Sequence, residues 1–543
     1  MDIHPPLPKL LMAGLIWLSD YQKLDESNVK WWTDKGFVGT QDYLNLYNQD
    51  AYYYLRFGSL IMGTILVLTT YLLMRSLGCR KATSAFTTWM VMTDHLISVD
   101  SRLILTDVYL WTFHMMTIAA SITATRAKGK QATIFWYLTT GFCLGCAVSS
   151  KYTAFGTIGF VGVHQMVFII CQLVRTCKIN LKKVGKRPSF ESILSYYVQT
   201  AVYRAVMILG VMAFVFCAVW MIHLQVLPYS GQGNGFMDNR FSSSLTPYFS
   251  EKEKAQAALG GCPNHANAWK DCGFPTINKT QCQALDCCWD PTSKDKWCYH
   301  KSQQPVPPPV KLPFFESLGY MLHATWSNNQ GESLNYHPQM SRWWQWPLLT
   351  CKFVDFGFGI YSMGNPAVWW LVALMIVVIS TYLIASTPAR LFSLLIPAPP
   401  KKAVKKPKGV PVVVVEKVET AQPEEDITDY AGSIPGWLLL VVFLTGYLGN
   451  LLPFYRIVRS TWNYHYMLAL LIGMILTGFS FDYAMKLADR AGKKKYTYLL
   501  LATLFVLASL QLVAFWYWSP WIYGFNISPE QKLSLRWYHL WGI

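Results

Sequence analysis

The chain has 543 residues, a positive mean hydropathy and a formal charge of +17, yet only 14% of its residues are charged. Soluble domains carry about 25% charged residues, so this composition excludes an ordinary soluble globule and favours a protein solvated by lipid. The positive charge does not signal nucleic acid, because the basic residues fall in short loops between apolar runs.

The first apolar stretch opens on His4-Pro5-Pro6 without a basic lead, so no cleavable signal peptide is read. Apolar segments at 57–74, 82–98, 106–125, 133–150, 152–174, 202–226, 366–387, 435–452, 463–485 and 497–518 then predict about ten spans. Each has nearly the length needed to cross a hydrocarbon core of ~30 Å. Lysine and arginine occupy every second connection. They are Arg75, Arg80 and Lys81, then Arg126, Lys128 and Lys130, then the run from Arg175 to Arg187. The series continues with Arg390 through Lys408 and ends with Lys486, Arg490 and Lys493 to Lys495. If the spans alternate, all five lie on one side, which the positive-inside rule makes cytosolic. The other side, predicted to be a lumen, then holds residues 1–55, 227–365 and the C-terminal tail.

Two features agree with a lumen. Six of the 13 cysteines crowd into one stretch: Cys262, Cys272, Cys282, Cys287, Cys288 and Cys298. An even, dense set in a short loop-rich unit reads as a disulfide framework, which needs an oxidising compartment, although six cysteines allow 15 connectivities. A zinc cluster is the rival reading, weakened by the absence of a C-x2-C pair or suitable histidine spacing. The sequons at Asn278 and Asn526 fall on the same side. The stretch 397–425, rich in Pro, Lys and Val, reads as a flexible cytosolic linker. Apart from the cysteine unit, the segment after Val226 reads as loop.

The cysteine unit resembles the trefoil (P-type) domain. The marks are Asp271-Cys272-Gly273-Phe274, Cys287-Cys288-Trp289-Asp290 and Trp297-Cys298-Tyr299. The resemblance implies the pairs Cys262–Cys288, Cys272–Cys287 and Cys282–Cys298. The predicted organisation is a membrane domain over 1–226, a lumenal connector over 227–261 and the trefoil over 262–299. A second lumenal connector with a Trp-rich motif covers 300–365, and a four-helix membrane region covers 366–543, with its cytosolic linker at 388–433.

Polar residues collect at the predicted lumenal helix ends, where ionisable groups are costly unless they line a site. They are Asp2 and His4, Arg56, Arg102 and Asp107, Lys151, and His337, Arg342, Trp343, Trp344 and Trp346. Each also has a simpler reading. Arg56 and Lys151 would snorkel to the interface, the tryptophans would form an aromatic belt, and Arg102 and Asp107 would pair with each other.

The strings "DIHPPLPKLL", "YYYLRFGSLIMGTI", "SRLILTDVYLW", "SSKYTAFGT", "SGQGNGFMDNRFSSSL", "SRWWQWPLL", "IYSMGNPAVWW" and "WNYHYMLAL" follow one another through most of the chain. Together they resemble the dolichyl-phosphate-mannose–protein mannosyltransferases. The resemblance implies a GT-C-type α-helical bundle with its active site at the lumenal membrane interface. It also implies mannose transfer from dolichyl phosphate mannose to Ser or Thr of secretory polypeptides in the endoplasmic reticulum, with a homo- or heterodimeric partner and no cofactor or metal. Asp107, His4 and Asp2 become catalytic candidates, and Arg56, Arg102, Lys151 and Arg342 partners for the donor phosphate. His337, Trp343, Trp344 and His465 become acceptor-side or shaping residues. Arg56 matches a functionally important arginine of the family, whereas Asp107 matches a position other than the family's expected base.

Two departures stand out. A trefoil replaces the family's usual β-trefoil-type lumenal module. The family's first helix and the Asp-Glu loop that precedes the His-Pro-Pro motif have no counterpart, so the 543-residue chain is expected to be inactive by itself. The alternatives are a non-catalytic partner subunit that presents the trefoil, a transferase of another lipid-linked sugar and, last, a transporter.

Overall fold

The computed structural model describes residues 4–18, 49–183, 190–226, 237–245, 277–285, 287–289, 298–300, 311–331, 337–395, 434–457, 459–539 and 541. The N-terminal membrane half contains α1 (Leu7–Leu18), α2 (Gln49–Leu77), α3 (Lys81–Met92), α4 (His95–Asp100), α5 (Asp107–Arg126), α6 (Lys130–Val148), α7 (Phe155–Lys183) and α8 (Phe190–Val226). Next come α9 (Asn239–Ser243), α10 (Lys279–Ala284), the strands β1 (Cys287–Trp289) and β2 (Cys298–His300), and α11 (Phe314–Gly331). The C-terminal half holds α12 (Pro366–Leu395), α13 (Gly436–Leu451), α14 (Met467–Arg490), α15 (Lys494–Tyr517), α16 (Ser519–Tyr523) and α17 (Pro529–Ser534).

Among the described residues, eight helices are long and apolar enough to cross a bilayer: α2, α6, α7, α8, α12, α13, α14 and α15, the last two fully within their spans. The chain is therefore a helical polytopic membrane protein. Two of the ten predicted spans differ for physical reasons. The 82–98 segment is broken: Thr93 caps α3 by donating to Trp89 O, and Asp94 starts α4 by accepting from Ile97 N at 3.1 Å. The 106–125 segment forms the continuous helix α5, but its polar residues lower its hydropathy. Those residues face inward, where His114 Nδ1 meets Thr157 Oγ1 at 2.7 Å and Ser121 Oγ meets His164 Nδ1 at 2.9 Å. Gln165 Nε2 adds a bond to Ser121 Oγ at 3.0 Å. These hydrogen bonds between facing helices bind α5 to α7.

Helix α14 is the centre of this bundle. Its most apolar window is 89% buried, against 11% for α15, which leaves α15 facing lipid. Close approach is part of the reason: a Cβ at Gly478 of α14 would overlap the Thr87 hydroxyl of α3.

One end of the bundle gathers basic loops. Arg80 pairs with Asp489 at 2.5 Å, Lys486 pairs with the buried Asp482 at 3.3 Å and donates to Gly78 O at 3.0 Å, and Arg126 donates to Ser76 O at 2.6 Å. Three of the five basic connections therefore meet at the same end, joined through α2, α3, α5 and α14.

The chain divides into two compact units, one over 220–331 and the other over 4–219 with 332–543. The first is not loop outside the cysteine stretch, as the sequence suggested. It contains α9 and α11, linked by an Arg240–Glu316 ion pair of 3.1 Å. A reciprocal cap starts α10, with Asn278 Oδ1 accepting from Gln281 N and Gln281 Oε1 accepting from Asn278 N. Strands β1 and β2 pair antiparallel, with Cys288 opposite Tyr299, and a disulfide joins Cys282 to Cys298 across a Cα–Cα distance of 5.8 Å. Cys287 and Cys288 are also disulfide-bonded. Cys262, Cys272, the 227–236 and 246–261 parts of the first connector and the linker from 396 to 433 lie outside the described residues, as does Asp2.

Candidate functional site

Helix polarity locates the site. Helix α5 ends at the basic loops with Arg126, so its first residue, Asp107, stands about 30 Å away at the opposite end. Helix α14 likewise runs from the turn Asn463–Tyr466 to its basic end, and α6 runs from Lys130 toward Lys151. Asp107, Lys151 and Tyr464 therefore share one end of the bundle.

Asp107 opens α5, where the helix dipole favours a carboxylate. Lys151 follows α6 in an extended conformation, φ −161° and ψ 141°, which carries its side chain back across that helix end. Its Nζ lies 2.8 Å from Asp107 Oδ1, with the two side chains only 12% and 15% exposed. This replaces the simpler readings in which Arg102 pairs with Asp107 and Lys151 snorkels. Arg102 instead bridges its own helix α4 to α16 through backbone carbonyls. Its Nε donates to Ser98 O at 2.9 Å, its Nη2 donates to Ile522 O at 2.7 Å, and its guanidinium lies 4.1 Å from the Tyr523 ring centroid. Arg56 Nε donates to the Arg102 carbonyl at 2.6 Å. Burial lowers the Arg102 pKa, and the neighbouring Arg56 charge lowers it further.

The residue that sequence reading missed is Asp100. It is 1% exposed, and its Oδ1 has no hydrogen-bond partner among the described residues. Burial pushes its carboxyl well above the usual carboxylate range, the Asp107 charge pushes it the same way and Lys151 opposes. A signal was available: an acid in an otherwise apolar stretch, seven positions before Asp107.

A cavity of about 350 Å³ opens here, lined by Asp100, Asp107, His337, Asp355, Trp462 and Tyr464 among others. Rings form much of its wall. Trp462 stacks on Tyr464 at 5.9 Å, Tyr464 stacks on His465 at 4.6 Å, and His337 meets Trp462 edge-on at 5.8 Å. Lys151 Nζ sits 5.1 Å from the Tyr464 ring centroid. His465 is buried, accepts from Trp462 N at 3.2 Å, and feels the charges of Lys151 and His4. The segment carrying His4 docks at this end through Leu7 N, which donates to Ser149 O at 3.0 Å.

The remaining candidates lie apart from the cavity lining. Trp344 is 58% exposed and meets Trp343 edge-on at 6.0 Å, while Arg342 N donates to Gln345 Oε1 at 2.8 Å. Trp346 is fully buried, and its Nε1 donates to Ser341 Oγ at 2.8 Å. Asn278 and Asn526 are both exposed. A second, apolar cavity of about 400 Å³, lined by Leu348, Trp370, Trp537 and Trp541, contains no ionisable side chain of the site.

Comparison with known proteins gives the family. Residues 1–228 match the model of the dolichyl-phosphate-mannose-protein mannosyltransferases, and residues 413–541 match the C-terminal four-helix region of protein-O-mannosyltransferases. Residues 262–301 match the trefoil (P-type) domain. Dolichyl-phosphate-mannose–protein mannosyltransferase 1 of Candida albicans is 28% identical over 257 residues, 45% of this chain and 25% of that protein. Its Saccharomyces cerevisiae counterpart is 26% identical over 45% of this chain and 27% of its own length. Protein O-mannosyltransferase 1 of Drosophila melanogaster is 23% identical, again over 45% of this chain and 25% of its own. The matched part thus spans about a quarter of the length of these curated relatives. The solved S. cerevisiae Pmt1-Pmt2 protein O-mannosyltransferase complex, bound to the sugar donor, superposes with a TM-score of 0.67 at 17% identity, covering 100% of this chain and 86% of that one. That likeness shows a shared fold. Matched by the family models in both membrane halves, the chain belongs to the protein O-mannosyltransferase family and carries a trefoil domain between those halves.

Proposed function

We propose that the protein transfers mannose from dolichyl phosphate mannose to Ser or Thr hydroxyls of secretory polypeptides. The observation that carries this reading is the acid-lined cavity at the end of the bundle away from the basic loops, with Asp107 facing it. An alcohol is a weak nucleophile at neutral pH, and a positioned base contributes ~10²–10⁴-fold. In the proposed step the acceptor oxygen forms a bond to the anomeric carbon, the bond from that carbon to the phosphate oxygen breaks, and polyprenyl phosphate leaves. The hydroxyl proton passes to Asp107. Uptake of that proton neutralises the partner of Lys151 and releases the ammonium toward the departing phosphate. Arg56, Arg102 and Arg342 are the further cations proposed for that phosphate, and His4, with the buried His465, shapes the approach.

The basic end is proposed to be cytosolic, which places the cavity, the 227–365 segment and the C-terminal tail in the lumen of the endoplasmic reticulum. A second reading, a subunit that pairs with another mannosyltransferase and presents its trefoil, is supported by the two-protein composition of the solved yeast complex. The test is transfer from labelled dolichyl phosphate mannose to a Ser/Thr-rich peptide. It uses the full chain alone, with a mannosyltransferase partner, and with an Asp-Glu loop and its helix added upstream. Activity in any of these, lost in Asp107→Asn, supports the enzymatic reading. Activity that survives Asp107→Asn in all of them removes Asp107 as the base, and inactivity throughout leaves the partner-subunit reading.

A further inference from the structure

We propose that the cavity is a subsite for the neutral hexose of the donor rather than for its phosphate, and that Asp100 hydrogen-bonds a sugar hydroxyl there. This rests on the mannosyl-transfer reading and deepens it.

Three observations support it. The first is charge. Asp100, Asp107 and Asp355 line the cavity, and among the described residues no Lys or Arg does. Lys151, whose charge Asp100 feels, is already bound to Asp107 at 2.8 Å. A phosphate monoester or diester placed there would meet carboxylates without a counter-ion, whereas a sugar carries hydroxyls that carboxyl groups can both accept from and donate to. The second is the wall. Trp462, Tyr464, His337 and Phe356 present ring surfaces, which suit the apolar C–H face of a pyranose. The third is Asp100 itself, 1% exposed, lining the cavity, with an Oδ1 that no described residue satisfies. A buried polar atom without a partner is costly, and a ligand hydroxyl would supply the missing bond. A metal ion is a poorer occupant, because among the described residues no three His, Cys, Asp or Glu side chains are grouped to hold one.

The protonation of Asp100 fits the role. Burial and the Asp107 charge raise its pKa and so favour the protonated carboxyl, a group that donates as well as accepts. The groups that set this balance are Asp107 and Lys151 on the facing helix ends and Asp94 at the start of its own helix, and His337, Asp355 and Tyr464 line the same cavity. As pH rises through the Asp100 pKa the donor is lost and a second carboxylate appears beside Asp107.

The experiment compares binding of two short-chain lipids to the full chain in nanodiscs: a polyprenyl phosphate carrying mannose, and the same polyprenyl phosphate without it. Wild type is expected to hold the mannosylated lipid more tightly. Asp100→Ala should weaken that lipid about tenfold or more, the loss that one well-placed hydrogen bond of about 1.4 kcal/mol represents, and leave the unsugared lipid unchanged. Asp100→Asn, neutral and able both to donate and to accept, should stay near wild type at pH 7. It should also remove the loss of affinity that wild type shows as pH rises through the Asp100 pKa. Equal weakening of both lipids by Asp100→Ala, or a loss in Asp100→Asn as large as in Asp100→Ala, would overturn the subsite. Equal affinity of wild type for the two lipids overturns it as well while leaving the donor lipid intact as a ligand. Failure of wild type to hold either lipid overturns the donor reading itself, and the subsite falls with it.

Discussion

Replacing Lys151 by Met keeps the length of the side chain and removes its charge, which isolates the Asp107 ion pair. At 2.8 Å and an effective dielectric constant of about 20, the gross attraction is about 6 kcal/mol. Desolvation of both partners cancels much of this in the intact protein, but Lys151→Met leaves Asp107 as a charge without its partner. Breaking a buried pair in this way costs ~3–5 kcal/mol. The two side chains retain 12% and 15% exposure, so water screens part of the loss and about 2–4 kcal/mol is expected. Asp107→Asn in the Lys151→Met background removes the orphaned charge and relieves its repulsion with the buried Asp100 carboxyl. The double variant should therefore be more stable than Lys151→Met alone, with a coupling of ~1 kcal/mol or more. Thermal inactivation of the detergent-solubilised chain, followed at one scan rate because such proteins unfold irreversibly, should rank wild type first, the double variant second and Lys151→Met last. A double variant less stable than Lys151→Met would show that the two groups do not act as a pair, and the geometry argued for the site would fail.

Further outcomes are expected. Arg56→Ala should lower mannosyl transfer with little effect on membrane insertion, and Arg56→Lys should restore only part, because an ammonium cannot reproduce the guanidinium fork that donates to the Arg102 carbonyl; unchanged transfer in Arg56→Ala would mark Arg56 as a surface anchor. Cys282→Ser opens a bridge spanning 16 residues, a loss of about 3 kcal/mol to its unit, so limited proteolysis should cut within 262–301 while the membrane helices stay intact. Trp369→Phe removes the Nε1 donor that reaches Asp94 Oδ2 at 2.7 Å and should destabilise the bundle by about 1–3 kcal/mol, read as a lower inactivation temperature. A Trp369→Phe chain as stable as wild type would show that the remaining Asp94 donors, Ile97 N and Asn365 N, are sufficient.

Hydropathy made the helices legible because it is a local property: a run of apolar residues reports its own environment. Where that property failed, the cause lies in a partner remote in sequence. Helix α5 reads as a weak span because His114 and Ser121 are polar, and nothing near them in the chain shows that Thr157 and His164, each 43 positions away from its partner, bond to them. The same limit applies to the site. Asp107 and Arg102 are neighbours in sequence, and an ion pair between them is the simple reading, yet Lys151, 44 positions on, holds the carboxylate. Asp100 went unremarked for the related reason that its distinction is burial, and the cavity it lines is completed by His337, Trp462 and Tyr464, all remote in sequence. The fold of residues 314–331 was hidden differently. Helix α11 mixes Phe314, Phe315 and Trp326 with His323 and Asn residues, a pattern that carries no clean membrane or amphipathic signal.

The two ends of the bundle differ in charge for a reason contained in the helices themselves. Helix α5 begins with Asp107 and ends with Arg126, the arrangement that complements a helix dipole at both termini. Helix α14 ends on Arg490 after Asp482 and Asp489 have bound Lys486 and Arg80, so the acids at that end are consumed within the basic loops. At the opposite end the balance reverses: Asp94 is saturated by Trp369, Ile97 and Asn365, Asp107 is held by Lys151, and Asp100 faces the cavity with an oxygen that no described residue satisfies. A structural network has no use for an unpaired buried carboxyl, because burial without a partner costs stability at every pH where the group would otherwise ionise. For Asp100, whose pKa is raised in the folded chain, that penalty is absent below the ordinary carboxylate range and grows as pH rises toward its shifted value. Asp100→Asn should therefore flatten the decline of stability with rising pH, and a variant that keeps the full decline would place its origin in another group.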